Sequence, residues 1–193
     1  AVCTVEVMPQ LEKIPRLIFE EMQKESASDV AAALRQLKGM LRPSDKNHKA
    51  SAKTACSLGL PGITILCMKK WSADERVQAE ALFCISALVN VDFEAKTTVA
   101  SSGGVEAFVT AMRMFPNSSE VQLAGFMALA STLSSRAIKK TMPSRFVHEL
   151  DGLALVLKGM KTWVDVTDIQ GCGIVLLGKL ARKKEFRDAM KEA

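Results

Sequence analysis

Apolar residues recur along this chain at intervals of three and four positions, which is the spacing of one face of an α-helix. The clearest case lies on either side of the polar break Pro116-Asn117-Ser118-Ser119. One apolar stripe precedes the break and a second follows it: Val105, Phe108, Val109 and Met112, then Val121, Ala124, Ala128 and Leu129, with Thr132 or Leu133. This pattern predicts two amphipathic helices, with a serine of the break capping the second one.

The same arrangement occurs three times around a Val-Gln or Ile-Gln dipeptide. These dipeptides begin at Val77, Val121 and Ile169, which are 44 and 48 residues apart. In each copy a methionine stands nine residues before the dipeptide, an aromatic residue six before it and a small residue four after it: Met68, Met112, Met160; Trp71, Phe115, Trp163; Ala81, Gly125, Gly173. A fainter copy surrounds Val30, which is not followed by glutamine.

The repeated small residue and methionine lead to two structural expectations. Glycine inside a helix costs about 1 kcal/mol relative to alanine, so its repetition at one position indicates a close helix approach there. Methionine at a fixed helical position is typical of core packing, and we expect all three to fill the core. Because one unit cannot bury its apolar stripe alone, we expect the units to stack on one another.

A shorter and more polar helix is predicted between the units, as at residues 93–101. It ends at Gly103-Gly104, where a tight turn favours positive φ, and similar turns are expected at 59–62 and 151–152. Three helices in about 40 to 47 residues is the period of armadillo and HEAT arrays.

The segment from Lys96, KTTVASSGGVEAFVTAMRMFPNSSEVQLAGFMALASTL, resembles an armadillo repeat. The resemblance extends over residues 58–193 and is weaker over 11–57. It implies an all-α, right-handed α-solenoid of about four three-helix repeats, whose third helices line a concave groove. The implied divisions are an N-terminal segment, a divergent first repeat, two further repeats, and a fourth with the start of another repeat or a cap: 1–10, 11–57, 58–101, 102–148 and 149–193.

The resemblance also has consequences for function. Armadillo arrays bind proteins and are not usually enzymes, and the family indicates a eukaryotic source. The last twelve residues, from Arg182, are similar to the linking first helix of a further repeat. Since arrays normally end in a polar cap, we expect further chain or another subunit to cover this end.

Peptide-binding members of the family carry a ladder of Trp and Asn on their third helices. Mapped from the dipeptide, the Trp positions hold Phe83, Met127 and Val175, and the Asn positions hold Ala87, Ser131 and Lys179. No copy keeps the ladder, which argues against recognition of basic peptides as in nuclear import. A groove lined by these six residues is instead suited to an apolar helix face. The alternative is that they are partly buried between repeats.

Composition narrows the function classes. With 193 residues, 48% of them hydrophobic, the chain fits one domain or one compact array and is not dominated by disorder. The net charge of +5 and the lack of tyrosine disfavour nucleic acid as a partner. No apolar stretch reaches about eighteen residues, so no transmembrane segment is expected. Residues 1–8 do not resemble a signal peptide. We expect a cytoplasmic protein, with a nuclear or organellar location left open.

Candidate catalytic and metal-binding residues are few. No Cys-x-x-Cys pair is present, and Cys67, Cys84 and Cys172 are expected to be buried, reduced thiols. His48 and His148 are 100 residues apart, without a second ligand at a suitable spacing. No nucleophile elbow or phosphate-binding loop occurs. We therefore expect no catalytic residue, metal or cofactor, although an enzyme with an unrecognised site remains an alternative.

Two basic clusters lie in or near the linking helices: Arg136, Lys139 and Lys140, and Arg182, Lys183 and Lys184. A ridge formed by these side chains would bind an anionic ligand, either nucleic acid or acidic lipid, and the alternative is a solvated face. Our leading hypothesis is a non-catalytic protein–protein interaction module, a scaffold or a subunit of a larger assembly, with an unidentified protein partner.

Overall fold

Four helix pairs follow one another in the part of the chain that the structure describes. The computed structural model describes residues 3–44, 46–133, 142, 145–182 and 184–192, and over these residues the protein is all-α, without strands. The helices are α1 Cys3–Gln23, α2 Ala27–Met40, α3 His48–Ser57, α4 Leu60–Lys70, α5 Glu75–Val91, α6 Phe93–Ser101, α7 Gly104–Met114, α8 Ser119–Leu133, a π-helical segment Arg145–Glu149, α9 Gly152–Thr162, α10 Thr167–Ala181 and α11 Lys184–Glu192. The predicted division at residue 10 falls inside α1.

Each pair consists of two helices joined by a short loop: α1 with α2, α4 with α5, α7 with α8, and α9 with α10. The second helices of the pairs pack on one another in chain order, α2 on α5, α5 on α8 and α8 on α10. One continuous apolar core runs through these contacts. The two stripes predicted around the break at residues 116–119 are buried in this core, as expected.

A side-chain cap starts the second helix in three of the pairs. Ser26 Oγ accepts a hydrogen bond from the amide of Asp29 (3.3 Å), and Asp74 Oδ1 accepts one from Val77 (3.0 Å). Ser118 Oγ accepts one from the amide of Val121 (3.3 Å), which confirms the predicted serine cap. These caps satisfy amide groups that have no partner within the helix, and they mark equivalent positions in the pairs.

Left-handed residues set the entry into the first helix of three pairs. Gly59 and Gly103, both at φ 76°, precede α4 and α7, and Asp151 at φ 44° precedes α9. Glycine lacks the Cβ that disfavours this conformation, and aspartate is among the few other residues that adopt it. The predicted short helix at 93–101 and the turn that follows it are confirmed.

The glutamine of each Val/Ile-Gln dipeptide ties together the two helices of its pair. Gln78 Nε2 donates to the carbonyls of Met68 and Trp71, both at 2.9 Å. The other two glutamines donate to the equivalent carbonyls: Gln122 to Met112 and Phe115, at 2.8 and 3.1 Å, and Gln170 to Met160 and Trp163, at 2.6 and 2.9 Å. These carbonyls lie at the end of the first helix, where they lack helical partners.

The repeated small residue makes room for the repeated methionine. A Cβ added to Gly125 would stand 2.5 Å from Met112 Cγ, and one added to Gly173 would stand 2.6 Å from Met160 Sδ. The predicted close approach is therefore filled by a side chain of the paired helix. Met68 and Met112 are buried as expected, whereas Met160 is only half-buried.

The first pair departs from the others by one residue in its loop. The caps Ser26 and Asp74 are 48 residues apart, so Asp29 corresponds to Val77. The choice of Val30 as the equivalent of Val77 is therefore wrong by one position. In the preceding helices the buried Ile18 of α1 matches the buried Ile65 of α4, at a separation of 47 residues. A loop one residue shorter accounts for the shift.

Candidate functional site

Three predicted groove residues occupy the same position on successive second helices. Phe83 on α5, Met127 on α8 and Val175 on α10 each lie six residues after the first residue of the dipeptide. Because these helices pack in that order, the three residues form what we call the groove row. Phe83 and Met127 are half-buried, and Val175 is 51% exposed. The row is thus apolar and becomes more accessible toward the C-terminal end.

The other three predicted groove residues lie one helical turn further along. Ala87 and Lys179 are half-buried, but Ser131 is only 5% exposed. A side chain with so little accessible surface offers a partner no contact of consequence. We therefore remove Ser131 from the groove surface and retain Ala87 and Lys179.

A buried carboxylate and two basic residues flank the groove row at its N-terminal end. Arg35 Nε lies 2.9 Å from Glu80 Oε1, and Lys38 Nζ lies 2.5 Å from Glu80 Oε2. The Lys38 ammonium also lies 4.9 Å from the centroid of the Phe83 ring, within the range of a cation–π contact. When the caps Ser26 and Asp74 are aligned, Arg35 on α2 occupies the position that Phe83 holds on α5.

The predicted site residues did not include Arg35, Lys38 or Glu80. The one-residue shift in the first pair concealed Arg35, since the assumed alignment placed Gln36 opposite Phe83. Glu80 carried a signal that could have found it, because it is a carboxylate in the middle of an apolar helical face. Such a group is stable in the interior only when it is paired.

Two surface grooves among the described residues bring together no catalytic set. One of about 470 Å³ lies between α1 and α2, where Ile14, Leu17 and Met40 meet charged and amide side chains. Another, of about 440 Å³, lies beside Met68, where the Arg145 guanidinium is 2.6 Å from the Glu106 carboxylate. Neither groove contains a cysteine or a histidine.

The four cysteines whose side chains the structure describes lie in environments that disfavour the thiolate. Cys67 and Cys84 are buried and free, as predicted, whereas Cys172 is half-buried, contrary to expectation. Burial raises the pKa of Cys67 to about 12 and raises the pKa of Cys84 further. Burial, with a contribution from Asp92, raises the pKa of Cys56 to about 12. Since the thiolate is the nucleophile, none of these three groups is activated for covalent chemistry.

The two histidines lie in different elements of the fold. His48 begins α3, and His148 lies in the π-helical segment. Across the described residues, no group of three or more His, Cys, Asp or Glu side chains is placed to hold a metal ion.

Most of the predicted basic ridge lies outside the described residues. This is the case for Arg136, Lys139, Lys140 and Lys183. Arg182 and Lys184 are described and exposed, between α10 and the start of α11. The ridge therefore stays a prediction.

No single helix in the described ranges combines the length and apolarity needed to cross a membrane. Only α3 and α4 taken together pass that test of length and composition, and they are bent by 74° at the break between them.

The comparisons with known proteins concern the fold. No protein-family model matches the chain, and no curated protein matches it. Its structure is similar to the crystal structure of an engineered protein determined by the Northeast Structural Genomics Consortium, with a TM-score of 0.70 and 21% sequence identity. The match covers 93% of this chain and 68% of the engineered one. At this identity the similarity establishes a shared helical fold alone.

Proposed function

We propose that this chain is a non-catalytic protein-binding module, a scaffold or assembly subunit, that receives a partner along the groove row. In this proposal the four helix pairs, with the single helices between them, are about four armadillo-like repeats of a right-handed α-solenoid. The repeated glutamine bonds, the left-handed turns before α4, α7 and α9, and the stacking of the second helices support this arrangement.

The groove row is the single observation that carries the proposed function. Phe83, Met127 and Val175 hold equivalent positions on three helices that pack side by side. Two of them are half-buried and the third is exposed, so the row presents apolar surface at a regular spacing. Such a surface is suited to an amphipathic helix, whose apolar side chains recur at three and four positions.

Charge at the two ends of the row limits the choice of partner. Arg35 and Lys38 stand beside Phe83 at one end, and Lys179 lies one turn beyond Val175 at the other. Glu80 neutralises part of the first cluster, but its carboxylate is buried and the Arg35 side chain is 65% exposed. The partner helix is therefore expected to carry acidic residues flanking its apolar face.

A photocrosslinking experiment tests this proposal. A photoreactive phenylalanine analogue is placed at Met127 in the groove row and, as a matched control, at Thr110, which is exposed on α7. We expect a discrete crosslinked protein from position 127 and none from position 110. Equal crosslinking from both positions would contradict a role for the groove.

Charge substitution gives an independent readout once a crosslinked protein is identified. Met127→Glu should abolish its binding, whereas Leu66→Glu, on the 55% exposed Leu66 of α4, should leave binding unchanged. Circular dichroism must show the same helix content for both variants. Retained binding by Met127→Glu would overturn the proposal.

A further inference from the structure

The C-terminal end of the stack exposes an isoleucine whose counterparts are buried. Ile174 lies five residues after the first residue of the dipeptide and is 64% exposed, whereas Leu82 and Phe126 at the same position are fully buried. Phe126 shows what such a residue contacts, because its ring Cζ lies 2.9 Å from where a Cβ of Gly159 would stand. The next helix pair therefore receives this side chain on a residue without a Cβ.

A leucine on the paired helix shows the same difference. Leu157 lies twelve residues before the dipeptide and is 51% exposed, whereas Ile65 and Val109 at that position are buried. Ile65 Cδ1 lies 3.2 Å from where a Cβ of Gly104 would stand, at the start of α7. One covered counterpart of each residue, Ile65 for Leu157 and Phe126 for Ile174, thus meets a glycine in the first helix of the following pair.

A basic residue beside this end also has counterparts with a defined contact. Lys69 Nζ donates to the carbonyl of Ser102 (2.7 Å), and Arg113 Nη2 donates to the carbonyl of Leu150 (2.5 Å). Each of these carbonyls directly precedes a left-handed residue of the following unit. Lys161 holds the same position in the fourth pair and is exposed. It is placed to donate to the same kind of carbonyl.

We propose that the face formed by Leu157, Ile174 and Lys161 docks a helix pair of this repeat type carried by a partner protein. The first helix of that pair follows a left-handed turn whose preceding carbonyl accepts from Lys161. The helix begins with glycine under Leu157, as α7 begins with Gly104 under Ile65, and has a small residue under Ile174, as α9 has Gly159 under Phe126. This interface lies at the end of the stack and is separate from the groove row.

A second copy of the chain does not meet these requirements. Matching Ile18 of α1 with Ile65 of α4 places Lys13 at the position of Gly152 and Glu20 at that of Gly159. Head-to-tail stacking would therefore bury an ammonium and a carboxylate against Leu157 and Ile174. Burying charges against apolar side chains is strongly unfavourable.

The proposal is tested by joining a suitable helix pair to the full chain. A second copy of residues 151–181 is fused directly after Ala193. Because α11 and α6 both have nine residues, the added Asp151 then follows Ala193 as Gly103 follows Ser102. The fusion provides the pair at high effective concentration. We expect the midpoint of thermal unfolding to rise by about 5 °C. Labelling of an Ile174→Cys thiol, followed at that peptide by mass spectrometry, should slow by about tenfold on fusion.

Two variants of the fused protein serve as matched controls. Ile174→Glu in the receiving face and Gly159→Leu in the appended copy should each remove the gain in unfolding midpoint. Unchanged thiol labelling after fusion, whether the added pair docks elsewhere or stays unfolded, would contradict the proposal. So would a concentration-dependent dimer of the unfused chain that Ile174→Glu dissociates, because it would identify a second copy as the occupant.

Discussion

The two ends of the helix stack treat equivalent positions differently. At the N-terminal end, Gln36 and Asp29 of α2 are exposed, whereas their counterparts on α5, Cys84 and Val77, are fully buried. At the C-terminal end the counterparts of buried residues remain apolar, as at Ile174, which is 64% exposed. One end thus carries polar residues where the interior is apolar, and the other keeps the interior pattern.

This difference distinguishes the residues that a helix pair requires for folding from the residues that suit a solvent-exposed face. The N-terminal pair shows that polar residues are compatible with the fold at these positions. Apolar residues at the C-terminal end are therefore not imposed by the fold. Their presence is the reason that a docked partner is proposed there and not at the N-terminal end.

The largest effect is expected when the same position is substituted in the second pair, where it is buried, and in the fourth pair, where it is exposed. Leu82→Ala removes a fully buried side chain and should lower the free energy of unfolding by about 3 kcal/mol. Ile174→Ala, at the same position on α10, should change it by less than about 0.5 kcal/mol. Urea unfolding measures both. Similar losses would show that the C-terminal face is covered in solution.

The repeated glutamine should show a smaller contrast of the same kind. Gln122→Ala removes the side-chain donor to the carbonyl of the buried Met112, and burial keeps water from replacing it. The Phe115 carbonyl loses the same donor but still accepts from the amide of Ser118 (3.2 Å). We expect a loss of about 2 kcal/mol in unfolding free energy. Gln170→Ala should cost less than half as much, because Gln170 is only half-buried. Equal losses of unfolding free energy for the two variants would argue against a role for the pair α9–α10 in covering Gln122.

The thiols give a pH-dependent form of the comparison. Burial raises the pKa of Cys67 from 9.0 to about 12, so above pH 9 the thiol ionises in the unfolded chain first. Its contribution to stability is complete below pH 9. It falls by at most about 1.4 kcal/mol per pH unit as the pH rises toward 12.

Unfolding titrations from pH 8 to 11 check this expectation. Cys67→Ala should reduce the fall in unfolding free energy with rising pH. Cys172→Ala, at the half-buried thiol of α10, should reduce that fall by less. At pH 8 a thiol reagent should modify Cys172 faster than Cys67 or Cys84. Faster modification of Cys84 would contradict its burial.

The smallest effect concerns surface chemistry alone. Ile174→Gln should reduce the binding of a hydrophobic fluorescent dye, and Gln36→Ile should increase it, because each moves one end toward the character of the other. Neither substitution should change the unfolding midpoint by more than about 2 °C. Dye fluorescence that is unaffected by Ile174→Gln would show that the dye binds elsewhere.

Much of the local structure could be predicted from the sequence. The spacing around Val121 predicted both helices of its pair, and Gly103 marked the turn before α7. The first pair was misaligned because a loop one residue shorter shifts α2 relative to α1, and because Glu21 stands where the other pairs have methionine. Glu21 is buried there and accepts a hydrogen bond from Lys24 (2.9 Å).

Other features depend on tertiary packing. In the sequence, the glutamine of the dipeptide served only to align the copies. Its two hydrogen bonds could not be inferred, because they join two helices whose separation the sequence does not give. Ser131 and Val175 were assigned to the same groove from position alone, yet one is buried and the other exposed. The difference arises from packing, because the pair α9–α10 lies against α8, whereas in the described residues no further helix pair lies against α10.

The glutamine bonds have a consequence for how far such a chain can diverge. Both acceptors are main-chain carbonyls, which every amino acid provides, so the bonds impose no identity on the residues they reach. Met68 and Trp71 accept in one pair, and Met112 and Phe115 in another. The relative placement of the paired helices can therefore persist while the residues that supply these carbonyls change.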